Sequence, residues 1–143
     1  MTGMWKKDKG HSDSMEEACN IMQLPWVFRK AVLILNTVQI EDTDESFRTA
    51  AKVAGIIDLV EHYPWEQWVK HPRRDKRRGQ HTGRVHRSDH GATIEYSWPP
   101  PLGGSGTDDY TLSEDGRTLT VTTSMHIPSI DRRCSYRTVY HRA

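Results

Sequence analysis

Two residues near the C-terminus, Arg137 and Tyr140 in the run Y136-R-T-V-Y140, are the pair best suited to hold a polar ligand group. A guanidinium offers a planar fork that matches a carboxylate, and a tyrosine hydroxyl readily completes such a clamp. The two residues are three apart, so a regular strand sends them to opposite faces. Tyr136, Thr138 and Tyr140 then share one face and offer hydroxyls without a fixed cation. A bulge near Thr138 or Val139 would instead bring Arg137 and Tyr140 together around an anion. The sequence admits both registers.

The densest charge lies elsewhere, in K70-H-P-R-R-D-K-R-R-G79. Such a run reads first as a solvated hairpin connection. Its alternatives are a nuclear-localisation or nucleic-acid patch, and an electrostatic contact with anionic membranes. No aromatic residues are interleaved within it, as a binder of single strands would want, so nucleic acid is the less favoured partner. Eight histidines raise the question of a metal or a haem. His81, His86 and His90 are the nearest set, but their spacing is no zinc signature, and His81 and His86 fall on opposite strand faces. A haem would need one inward axial histidine, for which His126 and His141 are the candidates. No Ser-His-Asp order and no paired carboxylates stand at a catalytic spacing. The expectation is therefore no enzyme, no catalytic residue, no metal site and no cofactor.

These residues need elements to position them. The 143 residues make one domain, 1–143, with 35% hydrophobic residues and a mean hydropathy of -0.76. A barrel around a partly polar interior reads this way, and five Trp and five Tyr argue against disorder. A net charge of +1 gives no global pull toward nucleic acid or membrane. Cys19 and Cys134 form no disulfide framework, which favours a reducing compartment. The start M-T-G-M-W-K-K-D-K lacks a signal-peptide core. A cytoplasmic monomer is expected, with the nucleus as a further destination if the basic run serves as an address.

Ser14 with Glu17 fits a capping box, and Pro25 suits the first turn of a second helix. A helical hairpin is thus expected over about 13–35, its second helix apolar on nearly every side. After Asn36, strand-length segments follow one another: T37–D44, S46–V53, I56–Y63, Q80–R87, A92–W98, G106–S113, T118–M125 and S135–H141. D115-G116 marks a hairpin turn. Strands near Trp5 and between Trp65 and Lys70 bring the count to ten. A succession of ten short-linked strands is an antiparallel up-and-down meander, which hides its edges by curling into a β-barrel.

This order of elements resembles the intracellular fatty-acid-binding protein family, whose barrels carry a helix-turn-helix lid. The stretch M15-E-E-A-C-N-I-M-Q-L-P-W-V-F-R-K30 is similar to the family's first helix and lid, and T118–M125 and R137–A143 resemble its last two strands. The resemblance implies a mainly β calycin fold that binds, solubilises or transports a fatty acid or related lipid inside the barrel. It implies ligand contacts from Met15, Cys19, Met22 and Trp26 in the lid, from Met125, and from Tyr136, Arg137, Thr138 and Tyr140. It also favours the bulged register, because the family's last strand holds a carboxylate with Arg-x-Tyr. D108-D-Y-T-L112 lacks the second arginine that the family often carries two strands earlier. Burial contributes about 0.8 kcal/mol per methylene, so an acyl chain dominates affinity, and a clamp chiefly selects the head group. The rival readings are an interaction or nucleic-acid-binding module using residues 70–79 and, third, a haem or pigment carrier.

Overall fold

Alternation of inward and outward side chains builds the strands of the computed structural model, which describes residues 1–53 and 56–143. The chain order is β1 (Gly3–Lys7), α1 (Glu16–Ile21), α2 (Trp26–Ile34), β2 (Thr37–Asp42), β3 (Ser46–Val53) and β4 (Ile57–Pro64). It continues with β5 (Val69–Pro72), β6 (Gln80–Ser88), β7 (Gly91–Trp98), β8 (Gly104–Leu112), β9 (Thr118–Ile127) and β10 (Arg132–Arg142). In β9, Leu119, Val121 and Thr123 are buried while their neighbours are half-exposed, the period-two pattern of a sheet with one face inward. Between β8 and β9 the turn runs through Gly116 at φ +71°, a left-handed conformation that glycine adopts without a Cβ clash.

The ten strands pair antiparallel in the order β4-β3-β2-β1-β10-β9-β8-β7-β6-β5. The barrel is nearly closed: β1 joins β10, and the two free edges, β4 and β5, face each other without a backbone ladder. The ten-stranded antiparallel barrel expected from the sequence is present, with a seam between β4 and β5. A side chain bridges it, because the His62 backbone N–H donates to His71 Nε2 at 3.0 Å. Trp5, Ile40, Phe47, Tyr63, Val85 and Leu119 fill one part of the barrel, each completely buried. Each such side chain contributes on the order of 1.5–3 kcal/mol by leaving water. Separate clusters form beneath the helices, around Ala18, Ile21 and Ile127 and around Phe28, Ala31 and Ile57.

The helical hairpin forms with different ends from those expected. Met15 caps α1, and Ser14 Oγ accepts the Glu16 N–H at 3.2 Å in a local turn, so the capping box does not form. Pro25 precedes α2 with extended backbone angles, φ -56° and ψ 146°, and so stands one place before the first helical position. Both cysteines are buried and free.

Neutral His71 is required at the seam, since only an unprotonated Nε2 accepts a hydrogen bond. Burial, helped by nearby Arg74 and His81, pushes its pKa below the ordinary 6.5, against the pull of Glu61. The unfolded chain therefore binds this proton more readily than the folded one. The contribution is fully present above pH 6.5 and is lost as pH falls from there toward the lowered folded value. We expect the urea midpoint to drop over that window, and His71→Gln to show a shallower drop than the parent. An equal slope in the two proteins would show that His71 does not couple the seam to pH.

Candidate functional site

Beneath the lid the barrel encloses a cavity of about 260 Å³, close to the lower bound of roughly 300–1,000 Å³ for small-molecule sites. The lid side is apolar, formed by Met15, Cys19 and Met22 with Phe28 from α2. The strand side is polar and is organised by one residue of the basic run, Arg74. Its Nε and Nη2 donate to Glu61 Oε2 and Oε1 at 2.8 and 2.7 Å, and its Nη1 donates to Asp108 Oδ2 at 2.7 Å. The guanidinium also lies 4.3 Å from the centre of the Tyr96 ring, a cation–π contact.

Strand parity explains why these groups meet. Glu61 on β4 points inward with Tyr63, and Asp108 on β8 points inward with Tyr110. Tyr63 donates to Glu61 Oε1 at 2.9 Å, and Tyr96 and Thr123 donate to Asp108 Oδ1 at 3.2 and 3.0 Å. Two glycines make room for the tyrosines. A Cβ on Gly83 would come within 3.0 Å of the Tyr63 ring, and one on Gly106 within 2.9 Å of the Tyr96 ring. Burial opposes the Glu61 charge, but Arg74 outweighs it and holds the carboxyl well below the usual range. Burial and the adjacent carboxylates push Tyr63 and Tyr96 upward, so both stay protonated donors. His81 is buried, with Nε2 3.3 Å from Glu61 Oε2 but not aligned for a hydrogen bond.

Two further arginines of the basic run, Arg73 and Arg77, also turn inward, which corrects the reading of the run as a wholly solvated connection. Arg73 is 3% exposed. It donates to both Asp75 oxygens at 3.1 and 2.7 Å and to the carbonyls of Pro99 and Pro101, both at 2.8 Å. Arg77 pairs with Asp75 at 2.9 Å and reaches the Met22 and Gln23 carbonyls, tying the loop to the lid. Lys70, Lys76 and Arg78 remain exposed. A dense charge run is normally solvated because isolated charges are costly to bury; here each buried guanidinium has carboxylate or carbonyl partners.

Of the residues expected at the site, Met15, Cys19, Met22, Met125, Tyr136 and Tyr140 line the cavity. Trp26 does not; it is 69% exposed on the outer side of α2, with Lys30 4.4 Å above its ring. Thr138 is buried but lies outside the cavity lining. Arg137 is exposed, and the β10–β9 register runs unbroken from Arg132↔Ile127 to His141↔Thr118. The expected bulge is absent, so Arg137 and Tyr140 stay on opposite faces and form no clamp. The Arg137 backbone instead pairs with Asp13, its N–H donating to Oδ2 at 2.8 Å. Burial beside Asp108 pushes the Tyr140 hydroxyl up to about 12. His126 lies on the outer face, and His141 bonds to Asp8 outside, so neither supplies an inward axial ligand. Among the described residues no group of three His, Cys, Asp or Glu side chains is arranged to hold a metal ion.

Solved structures share this architecture over nearly the whole chain. Lipid binding protein 8 of Caenorhabditis elegans superposes with a TM-score of 0.76 at 14% identity, over 99% of this chain and 94% of that one. The REP1-NXSQ fatty acid transporter gives 0.74 at 10% identity, over 99% and 95%. The fold is that of the fatty-acid-binding proteins. The fluorescent protein UnaG has it too, with a TM-score of 0.76 at 16% identity over 100% and 97%. No family model and no curated protein sequence matches the chain. Within this fold, Arg74, Glu61, Asp108 and His81 are the site residues that the motif reading missed. Their one sequence signal is parity: Glu61 and Asp108 each stand two residues before an inward tyrosine, polar groups on an apolar face.

Proposed function

We propose that the protein binds a hydrophobic small molecule, a lipid, within the barrel and solubilises or delivers it. The observation that carries this reading is an internal cavity whose lid side is apolar and whose far wall is a polar cluster built around Arg74. Such a cavity removes an aliphatic chain from water and fixes one polar end. The names of the structural neighbours, a fatty acid transporter and a lipid binding protein, support it. In this reading the site is a binding cavity, its carboxylates paired with Arg74. Exposed Trp26, Val27 and Ile34 beside Lys30 on α2 suit transient contact with an anionic membrane during delivery. Among the described residues no helix is long and apolar enough to cross one. The nucleic-acid alternative loses support, because Arg73, Arg74 and Arg77 are engaged within the protein.

The test uses the uncharged probe Nile red together with native mass spectrometry of the purified protein. We expect enhanced, blue-shifted probe emission, displacement by aliphatic lipids, and a co-purifying small molecule. An unchanged emission spectrum with no displacement by any fatty acid, retinoid or sterol would count decisively against a carrier.

A further inference from the structure

Fatty-acid carboxylates are the ligands that an arginine in a barrel first suggests, yet Arg74 is poorly placed to serve one. All three of its nitrogens already donate to protein carboxylates. Glu61 and Asp108 together place two negative charges against this one positive charge. Arg73 and Asp75, the other charged groups lining the cavity, pair with each other, and Arg77, outside the lining, also holds Asp75. The carboxylates and guanidinium groups that line the cavity therefore sum to one negative charge. Arg137, the cation expected to redress this, is outside the barrel. A third carboxylate brought into this pocket would meet two of its own sign, and like charges set close together oppose binding.

A second feature points to the group that would be welcome. His81 is 2% exposed and lines the cavity, and its Nε2 has no hydrogen-bond partner among the described residues. A buried ring nitrogen left unbonded loses the hydrogen bond that water would have supplied. It stands 3.3 Å from Glu61 Oε2, so the two atoms offer neighbouring acceptor positions when the nitrogen is unprotonated. A head group that donates protons can satisfy both. An ammonium does so and also balances the negative wall; a hydroxyl satisfies one acceptor without changing the charge.

We propose that the cavity selects amphiphiles with a cationic or neutral hydrogen-bond-donating head, an aliphatic amine first and an alcohol second, over the matching carboxylic acid. Glu61, Asp108 and His81 are the residues that set this preference. The inference rests on the carrier reading above and goes further in naming the head-group class. The aliphatic tail lies toward Met15, Met22 and Phe28, and the head toward Arg74 and its partners.

The decisive experiment is competition against Nile red by dodecylamine, dodecanol and dodecanoic acid, each below its solubility or aggregation limit at neutral pH. The amine should displace the probe at a concentration at least about ten-fold lower than the acid, with the alcohol between them. Asp108→Asn keeps an acceptor for Tyr96 and Thr123 while removing one charge, and should narrow the amine-to-acid ratio by about ten-fold. Glu61→Gln provides the same test if the first variant folds poorly, with near-ultraviolet circular dichroism reporting on folding. An acid that binds as tightly as the amine, or tighter, overturns the head-group assignment and leaves the carrier reading standing. Displacement by none of the three overturns both. A ratio unchanged in the two folded variants would show that these carboxylates do not set the preference.

Discussion

Arg74→Met is expected to destabilise the fold by about 3–5 kcal/mol, because it strands two buried carboxylates without a cation. The side chains of Glu61 and Asp108 are each 6% exposed, and Arg74 is the positive partner they share. Methionine preserves most of the stem packing, so the loss reports charge and hydrogen bonds. A domain of this kind has roughly 5–15 kcal/mol of stability in all, so the shift in the urea midpoint should be large. The variant should also reverse its response to acid. Without Arg74, burial is left to raise the Glu61 carboxyl pKa above that of the unfolded chain, so stability increases as pH falls through the raised value. Adding Glu61→Gln and Asp108→Asn to Arg74→Met should restore most of the loss, since the strain lies in unpaired charge and not in an empty volume. A loss below about 1 kcal/mol for the single variant, with no change of sign in acid, would mean that solvent entering the cavity screens the carboxylates effectively.

Arg73→Ala should cost about 3 kcal/mol by a different route, through the loop that it pins. Its side chain is 1% exposed and holds Asp75 together with the carbonyls of Pro99 and Pro101. Removing it leaves two carbonyls without a donor, while Arg77 still partly balances Asp75 at 2.9 Å. The 73–79 loop would then lose its anchor to the β7–β8 connection and, through Arg77, would loosen its hold on the lid. Hydrogen exchange should become faster at Met22 to Leu24 as well as within the loop. Arg78→Ala is the matched control from the same run; the residue is exposed, and its loss should stay within about 0.5 kcal/mol. Equal effects from Arg73 and Arg78 would return the run to a solvated charge patch and remove its role in holding the lid.

The difference between these two arginines also separates what sequence and tertiary structure each decided. Period-two alternation in segments such as T118–M125, the Asp115-Gly116 turn and the apolar second helix were enough to foresee a ten-stranded meander after a helical hairpin; that the hairpin forms a lid was implied by the family resemblance. Each of those signals is local: a residue's own strand parity or turn preference decides its meaning. Parity likewise placed Tyr136 and Tyr140 inside and, read without a bulge, Arg137 outside. Resemblance to a family pattern argued for the bulge, and the continuous β10–β9 register decided against it.

The seam, the inward-turning loop and the charge of the cavity were settled only by the closed three-dimensional arrangement. Arg73 and Arg74 stand side by side in a run of like charges, and nothing local marks them from Arg77 or Arg78. Their burial depends on Asp75 in the same loop, on Glu61 thirteen residues earlier, on Asp108 thirty-four residues later and on the carbonyls of Pro99 and Pro101. A guanidinium leaves water only where enough acceptors converge to replace its hydration, and that convergence belongs to strands distant in the chain. Composition suited a barrel with a partly polar interior. Which charges enter it, and that they sum to a negative wall, is a property of the closed sheet.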